Sequence, residues 1–586
     1  MSEVNPVVFH RRLGKLLDLW KNATEADAET LPLLTTGGIL LVSGNTDEIP
    51  YPKSYELQKY LFGSIFSSTL IFITLENITF LCSEQKAERL RTLVSDSNIV
   101  GAAVTVSVLV RSKEPGQSTK LLKEVGLAMS KVAEDGMKLG CFTNDKHGGH
   151  FVDEWNTHLK QKKKRLKQIK KANDISLVIS ALMARKDSDE MQIMEIASKM
   201  AEKLMRLLFQ QLTNSLEDQK EITPERLTDI IEAKLEDSDI WKGMDFGFNF
   251  DTAYASWIYT PIIQSQGVYD LRTLVQSTDE RLNDARVILA SLGIRYKRYC
   301  SNISRVILID PHPTQESNYN YLMDLQRFAL QELKEGVIVK EFYQTIFSKV
   351  SRERPDLEST LPESFGFGIG IIFKDPFLNL DTRCDRRLKS DMIFSLEMSF
   401  SNIQDPFDSS KTYSLQLIDM VAVKNETAII LSNGIIDSKD FTFLFKNKQQ
   451  DDIEGLKNIS QSSAQPDKPS GIPPTTSADT HPVEHPIKKS DLSPPKVLPD
   501  ENLDPDTSIK DQPQPSDSKI SKHERDSDDA LEHLIEAKKL KAIAMLEAND
   551  QIIMSRKLEG LDEDSQKWYI LKKRQILKKL EEEIVE

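Results

Sequence analysis

Of the side chains able to carry chemistry, the four cysteines and nine histidines are the fewest. Cys82, Cys141, Cys300 and Cys384 lie far apart with no CxxC pair, which excludes a zinc ribbon and argues for a reducing compartment. His147-Gly148-Gly149-His150 is the densest histidine group. No Cys or acidic pair is spaced to complete a metal site around it, so it reads as a turn or a helix start. No histidine occurs between His312 and His481. The alternating Gly366, Gly368 and Gly370 lack the Lys-Ser/Thr that completes a phosphate loop. They read instead as a strand approached closely by another backbone or a peptide. Glu397 is a lone carboxylate in an apolar strand-like run, suited to pairing with a neighbour or to recognising a basic peptide; no nucleophile–base pair accompanies it. The basic stretch His158–Lys171 (HLKQKKKRLKQIKK) has only a thin apolar stripe, Leu159, Leu166 and Ile169. It reads as an exposed connecting helix, with a nuclear-import signal or a phosphate-contacting patch as the alternatives.

The 586 residues that must position these groups are too many for one core, so two or three folded units are expected. Apolar residues make up 39% and charged residues 28%, as in soluble globular proteins. Lys plus Arg number 76 against 90 Asp plus Glu, a formal charge of −14. That balance favours basic protein partners and argues against direct DNA binding. The N-terminus has no secretory pattern, and the most apolar stretch, Ser67–Cys82, is broken by Glu76 and Asn77, so no membrane association is expected and the chain reads as intracellular.

Residues 1–172 alternate helical and strand patterns, an α/β lobe whose strands are Gly38–Ser43, the hairpin Leu70–Thr74 and Ile78–Cys82, Val100–Val110 and Leu139–Thr143. Residues 173–448 open on a long helix announced by the Asp187-x-x-Glu190 capping box, followed by a helix near Pro224–Leu235. Strand-like segments then run at Arg286–Gly293, Ser304–Ile309, Gly366–Phe373, Met392–Ser399, Ser414–Val423 and Thr427–Leu431, an α+β domain on an antiparallel sheet. Residues 449–521 hold no aromatic residue and are rich in Pro and Ser, which predicts a disordered linker. Residues 522–586 return to helix formers.

The second domain resembles the pita-bread fold of methionine aminopeptidase, prolidase and creatinase. ILASLGIRYKRYCSNISRVILI (Ile288–Ile309) is similar to the strand pair D-x-G…C-S-D-x-T-R, and GFGIGIIFKDP (Gly366–Pro376) to GHGIG-x-x-x-H-E-x-P. DMIFSLEMSF (Asp391–Phe400) and LQLIDMVAV (Leu415–Val423) are similar to the two Glu-bearing strands. The enzymes hold two divalent metals there with two Asp, one His and two Glu. The resemblance puts Ser291 and Asn302 at the Asp positions, Phe367 at the His, and Glu397 and Ile418 at the two Glu, with Lys374 at a second histidine. One carboxylate among five positions cannot hold a metal pair, so no cofactor, no metal and no catalytic residue are expected.

A metal-stripped pita-bread domain behind a small α/β lobe resembles one family in particular, the large subunit of the FACT histone chaperone. FHRRLGKLLDLWKN (Phe9–Asn22), YPKSYELQKYLFGSIFSSTLIFI (Tyr51–Ile73), DISLVISALMARKDSDE (Asp174–Glu190) and FNFDTAYASWIYTPIIQSQGVYDLR (Phe248–Arg272) carry that resemblance. It implies a non-enzymatic, nuclear, chromosomal protein that binds core histones and reorganises nucleosomes in transcription, replication and repair. The small HMG-box subunit is a further implied partner. The family's dimerisation domain, middle domain and acidic tail are replaced here by the linker and helical end, as expected of a truncated gene model or a short paralogue. The implied peptide cleft is Glu397, Phe367 and Lys374, with Phe367 holding a Lys or Arg stem. The rival expectation is a divergent metal-dependent X-Pro-type aminopeptidase.

Overall fold

Asn5 accepts a hydrogen bond from the Val8 N–H and Pro6 takes the first helical position, which starts α1 (Pro6–Lys21). The computed structural model describes residues 4–444, except 45–51, 96–103, 112–116, 163–164, 166, 168, 170, 245, 247–249, 273–274 and 433–441. After α1 come β1 (Thr36–Ser43), α2 (Lys53–Phe62), β2 (Thr69–Ile73), β3 (Asn77–Cys82), α3 (Glu84–Ser95), β4 (Thr105–Val110), α4 (Gln117–Glu134), β5 (Lys138–Cys141), α5 (His150–Gln161) and β6 (Asn173–Asp174). The strands form one mixed sheet in the order β4-β3-β2-β1-β5-β6, and β2–β3 is the expected antiparallel hairpin. Strand periodicity sends alternate residues to opposite faces. Ile39, Leu41, Ile71, Ile73 and Phe80 pack against α1 and α2, whereas Leu40, Leu70, Phe72 and Leu81 pack against α4 and α5.

The second lobe continues with α6 (Ser176–Ala184), α7 (Ser188–Glu217), α8 (Pro224–Glu232), β7 (Ala255–Ser265), β8 (Val287–Tyr296), β9 (Tyr299–Cys300), β10 (Ile303–Ile309), α9 (Pro313–Glu332), α10 (Val339–Glu353), β11 (Ser364–Gly368), β12 (Asn379–Asp381), β13 (Ile393–Gln404), β14 (Thr412–Ala422), β15 (Ile429–Ile430) and β16 (Thr442–Phe443). Asp187 and Glu190 form the predicted capping box at the start of α7, each accepting a backbone N–H of the other at 2.9 Å. The main path of the ten-stranded sheet is β12-β11-β13-β14-β10-β8-β7. One face is covered by α9 and α10, the other by α7 and α8. This is the expected α/β lobe followed by a pita-bread domain.

The lobes meet over a shared core in which Phe9, Leu13, Leu61 and Phe66 join Ile179, Tyr299, Phe367 and Met420. At its polar centre the buried Arg12 donates to the Tyr60 carbonyl at 2.7 Å and to the Tyr299 hydroxyl at 3.1 Å, and pairs with Asp187. Tyr299 in turn donates to Glu190 at 2.9 Å. The capping box of α7 is thus also part of the junction. Glu29 closes the rim against Arg386 and Lys389.

Four expectations about elements need correction. The strand expected over Gly366–Phe373 stops at Gly368, because the Gly368 carbonyl accepts from Asp375 N–H and its own N–H donates to Leu378, turning the chain back into β12. Thr427–Leu431 shortens to the two paired residues of β15. A strand at β7, carrying Pro261, was not anticipated; it lies at the sheet edge, where a missing N–H costs no ladder bond. The basic stretch is not one helix. α5 ends at Gln161 and Lys162 leaves helical geometry, though the described residues Arg165, Lys167 and Ile169 are helical again. His150 is the first residue of α5, so the His-Gly-Gly-His group is a helix start as expected. The linker 449–521 and helical end 522–586 lie outside the described residues.

Candidate functional site

Strand pairing gathers the five positions. Glu397 on β13 lies opposite Ile418 on β14, and Ile418 lies opposite Ser304 on β10, itself opposite Ser291 on β8. Phe367 on β11 faces Ser395, two residues before Glu397 and therefore on the same strand face. Asn302, just before β10, reaches across to donate to the Ser395 hydroxyl at 3.1 Å and the Glu397 carboxylate at 3.4 Å.

What fills this space is a hydrogen-bonded and aromatic cluster. The Tyr259 hydroxyl donates to the Asn302 amide oxygen, and the Tyr259 ring lies in the space that a side chain at Gly293 would occupy. Phe373 packs edge-on to both Tyr259 and Phe367, at 6.0 and 5.6 Å between centroids. Phe367 is 1% exposed, and the Lys374 ammonium sits 4.9 Å from its ring centroid. The ring that was expected to hold an incoming Lys or Arg stem is therefore buried and covered by a cation of the same chain. Lys374 is the exposed member of the group.

Desolvation pushes the Glu397 carboxyl up to about 7, against the stabilising pull of Lys374 and the Ser395 hydroxyl. The Tyr259 hydroxyl is also pushed up, first by burial and then by Glu397, with a bond from Ser291 opposing. The group is thus a carboxyl poised near neutrality inside neutral hydrogen-bond partners.

The residues next to the vanished ligands tell a different story. Arg305 and Asp419, both buried, pair at 2.7 Å on the α9 side of the sheet. Arg305 also donates to the Ile418 carbonyl at 2.9 Å, and Gln326 of α9 completes Asp419 at 2.9 Å. Gly366 has φ +126°, and a Cβ there would collide with the Ser395 carbonyl oxygen, the close backbone approach expected for the alternating glycines. The strands are locked in register around positions of which one, Glu397, carries a carboxyl.

Tyr259, Phe373 and Ser395 were not singled out from the sequence. Ser395 had a signal in its two-residue spacing from Glu397; Tyr259 lies within the Phe248–Arg272 segment that carried the resemblance, but nothing set it apart there while β7 was unassigned.

Residues 4–203 match the FACT complex subunit SPT16 N-terminal lobe domain, and residues 192–425 match metallopeptidase family M24. The FACT complex subunit SPT16 of Mycosarcoma maydis is 34% identical over 450 residues, covering 75% of this chain and 42% of that protein. Over the two-lobed region the chain belongs to the SPT16 family. The SPT16 N-terminal domain from Eremothecium gossypii superposes with a TM-score of 0.67 at 28% identity, covering 76% of this chain and all of that one. The corresponding domain from chickpea, Cicer arietinum, gives 0.63 at 26%, covering 75% of this chain and again all of that one. The dipeptidase PepE of Mycobacterium ulcerans, at 16% identity and TM-score 0.51, covers 76% of this chain and all of that chain and shares the fold alone. The chain spans about two fifths of the length of the curated SPT16 relatives it matches.

A metallopeptidase fold implies a metal pair, and the residues do not fit one. A hydroxyl, an amide, a phenyl ring, one carboxyl and an aliphatic chain occupy the five positions, and the amide is committed to Ser395, Glu397 and Tyr259. Among the described residues no group of three or more His, Cys, Asp or Glu is placed to hold a metal ion, and no helix is long and apolar enough to cross a membrane.

Proposed function

We propose that the chain is a non-catalytic histone-chaperone subunit of the FACT type, acting on nucleosomes in the nucleus. Two things support this best together: full coverage of solved SPT16 N-terminal domains, and a single carboxyl among the five positions that the metallopeptidase resemblance assigns as ligands. Core histones are the proposed partners, and the family's small HMG-box subunit is a second. The chain's charge of −14 attracts basic histone tails, and that attraction weakens with salt.

The former metal depression has one specific role in this reading. Lys374, an exposed lysine of the same chain, lies over the Phe367 ring and draws on Glu397 electrostatically, and a histone Lys or Arg exchanging for it would gain the carboxylate and the Phe367 ring. One such exchange site without multivalency supports micromolar affinity at most. A labelled histone-tail peptide titrated into the full chain at low salt should bind in that range, and Glu397→Gln should weaken it several-fold. Absence of binding to peptides and to intact core histones alike contradicts the chaperone reading; binding indifferent to Glu397→Gln removes only the cleft.

A further inference from the structure

The formal charge of −14 is unevenly spread. From Trp155 to Asn173 the chain carries eight Lys or Arg and no carboxylate. The Arg165 side chain bridges α5 and α4: its Nη1 lies 3.1 Å from His158 Nε2, and its Nε donates to the Ser130 hydroxyl at 3.4 Å. Its guanidinium fills the space that a side chain at Gly126 would take. Lys123, Gly126 and Ser130 follow helical spacing, so Lys123 stands beside the attachment point. Burial and then Arg165, Lys162 and Lys123 lower the pKa of the buried His158, which shows that these cations share one neighbourhood.

Lys123, Lys160, Lys162, Lys167 and Lys171 are all exposed, and none makes an ion pair among the described residues. Trp155 and Phe151 of the same helix are each 3% exposed, so no aromatic ring there is available to stack on a base. The one guanidinium is engaged with His158 and Ser130, so no bidentate fork is free to read a base edge. What remains is lysine ammonium groups on α4 (Lys123), on α5 and its C-cap (Lys160, Lys162) and on the segment after it (Lys167, Lys171), a chemistry that meets phosphates and ignores sequence. Duplex DNA presents a phosphate charge about every 1.7 Å of axis and needs no ordering to meet them, whereas an acidic polypeptide must be ordered first.

We propose that the lysines of α4, of α5 and of the segment that follows it, namely Lys123, Lys160, Lys162, Lys167 and Lys171, with Arg165 as anchor to α4, make a sequence-independent contact for the phosphate backbone of duplex DNA. This runs against the expectation drawn from net charge alone and is independent of the Glu397 cleft.

The test is fluorescence anisotropy of a labelled 30-base-pair duplex with the full chain between 50 and 200 mM salt. Five neutralised phosphates predict a log–log salt slope of about −4 to −5, the same for two unrelated sequences. Replacing all five lysines by alanine should lower affinity at least tenfold at 50 mM salt and flatten the slope, while the five Lys→Arg replacements should keep both. Lys160→Glu with Lys167→Glu provides a smaller variant with the same expected loss. Its unchanged thermal transition certifies folding. No duplex binding at 50 mM salt overturns the proposal, as does binding insensitive to these lysines, which would assign it to other cations such as Lys572–Lys579. Equal or tighter lysine-dependent capture of polyglutamate or of phosphatidylserine vesicles also overturns it, in favour of an acidic protein or a membrane surface.

Discussion

Glu397 is the one carboxyl among the five positions that the metallopeptidase resemblance assigns as ligands, and its environment opposes its charge. Its folded-state pKa of about 7 lies above the ordinary 4.5. A raised carboxyl pKa means the folded state holds the proton more tightly, so the associated stability is present below pH 4.5 and is lost as pH rises through 7. Glu397→Gln removes the titration. The variant should match the wild type near pH 4.5 and exceed it by roughly 1–3 kcal/mol at pH 8, measured by urea unfolding at the two values. A wild-type pH profile retained in the variant would show that Glu397 is solvated and charged. At this scale the sequence marked the five positions but not the cluster that fills the space between them. Phe367, Asn302 and Ile418 could be placed by motif, because motif spacing survives in the strands. The packing of Tyr259 against Gly293 and Asn302 could not, because it joins residues on β7, β8 and the start of β10 that only the folded sheet brings together.

At the scale of elements, the glycine-rich strand β11 and the buried Arg305–Asp419 pair hold the strands that carry the five positions in register. Gly366→Ala meets both a positive φ and the Ser395 carbonyl and should cost about 3 kcal/mol or more. Gly336→Ala is the control: its φ is +90°, but nothing lies within 4 Å of a Cβ, so backbone strain alone should cost about 1 kcal/mol. Chemical denaturation midpoints separate the two; equal losses would deny the close strand approach. Long periodic elements were legible in advance. Asp187 and Glu190 announced α7, and alternation announced β2, β3, β8, β13 and β14. The β11 end, β7 and β12 were not legible, since a turn closed by Gly368 and a Pro-bearing edge strand are decided by tertiary partners.

At the scale of the molecule, the two lobes share one hydrophobic core and an ionic centre at Arg12. They should therefore unfold together, and scanning calorimetry of the full chain should show one cooperative transition for both. Arg12→Ala leaves Glu190 and Asp187 without their buried cation and should destabilise that single transition by about 3–5 kcal/mol. Two transitions in the wild type would mean that the lobes are energetically independent. Whole-chain composition was the least informative sequence signal. A charge of −14 describes no particular surface, whereas the local sequence showed the carboxylate-free stretch from Trp155 to Asn173 directly.

The central claim is that a metallopeptidase frame has lost its metal site and with it its hydrolytic chemistry. Calorimetric titration of the full chain with manganese at pH 7.5, with turnover of an X-Pro dipeptide followed in the same cell, tests this most directly. The account predicts no stoichiometric binding and no turnover above the buffer rate. Two equivalents of metal bound with measurable hydrolysis, both abolished by Glu397→Gln, would contradict it.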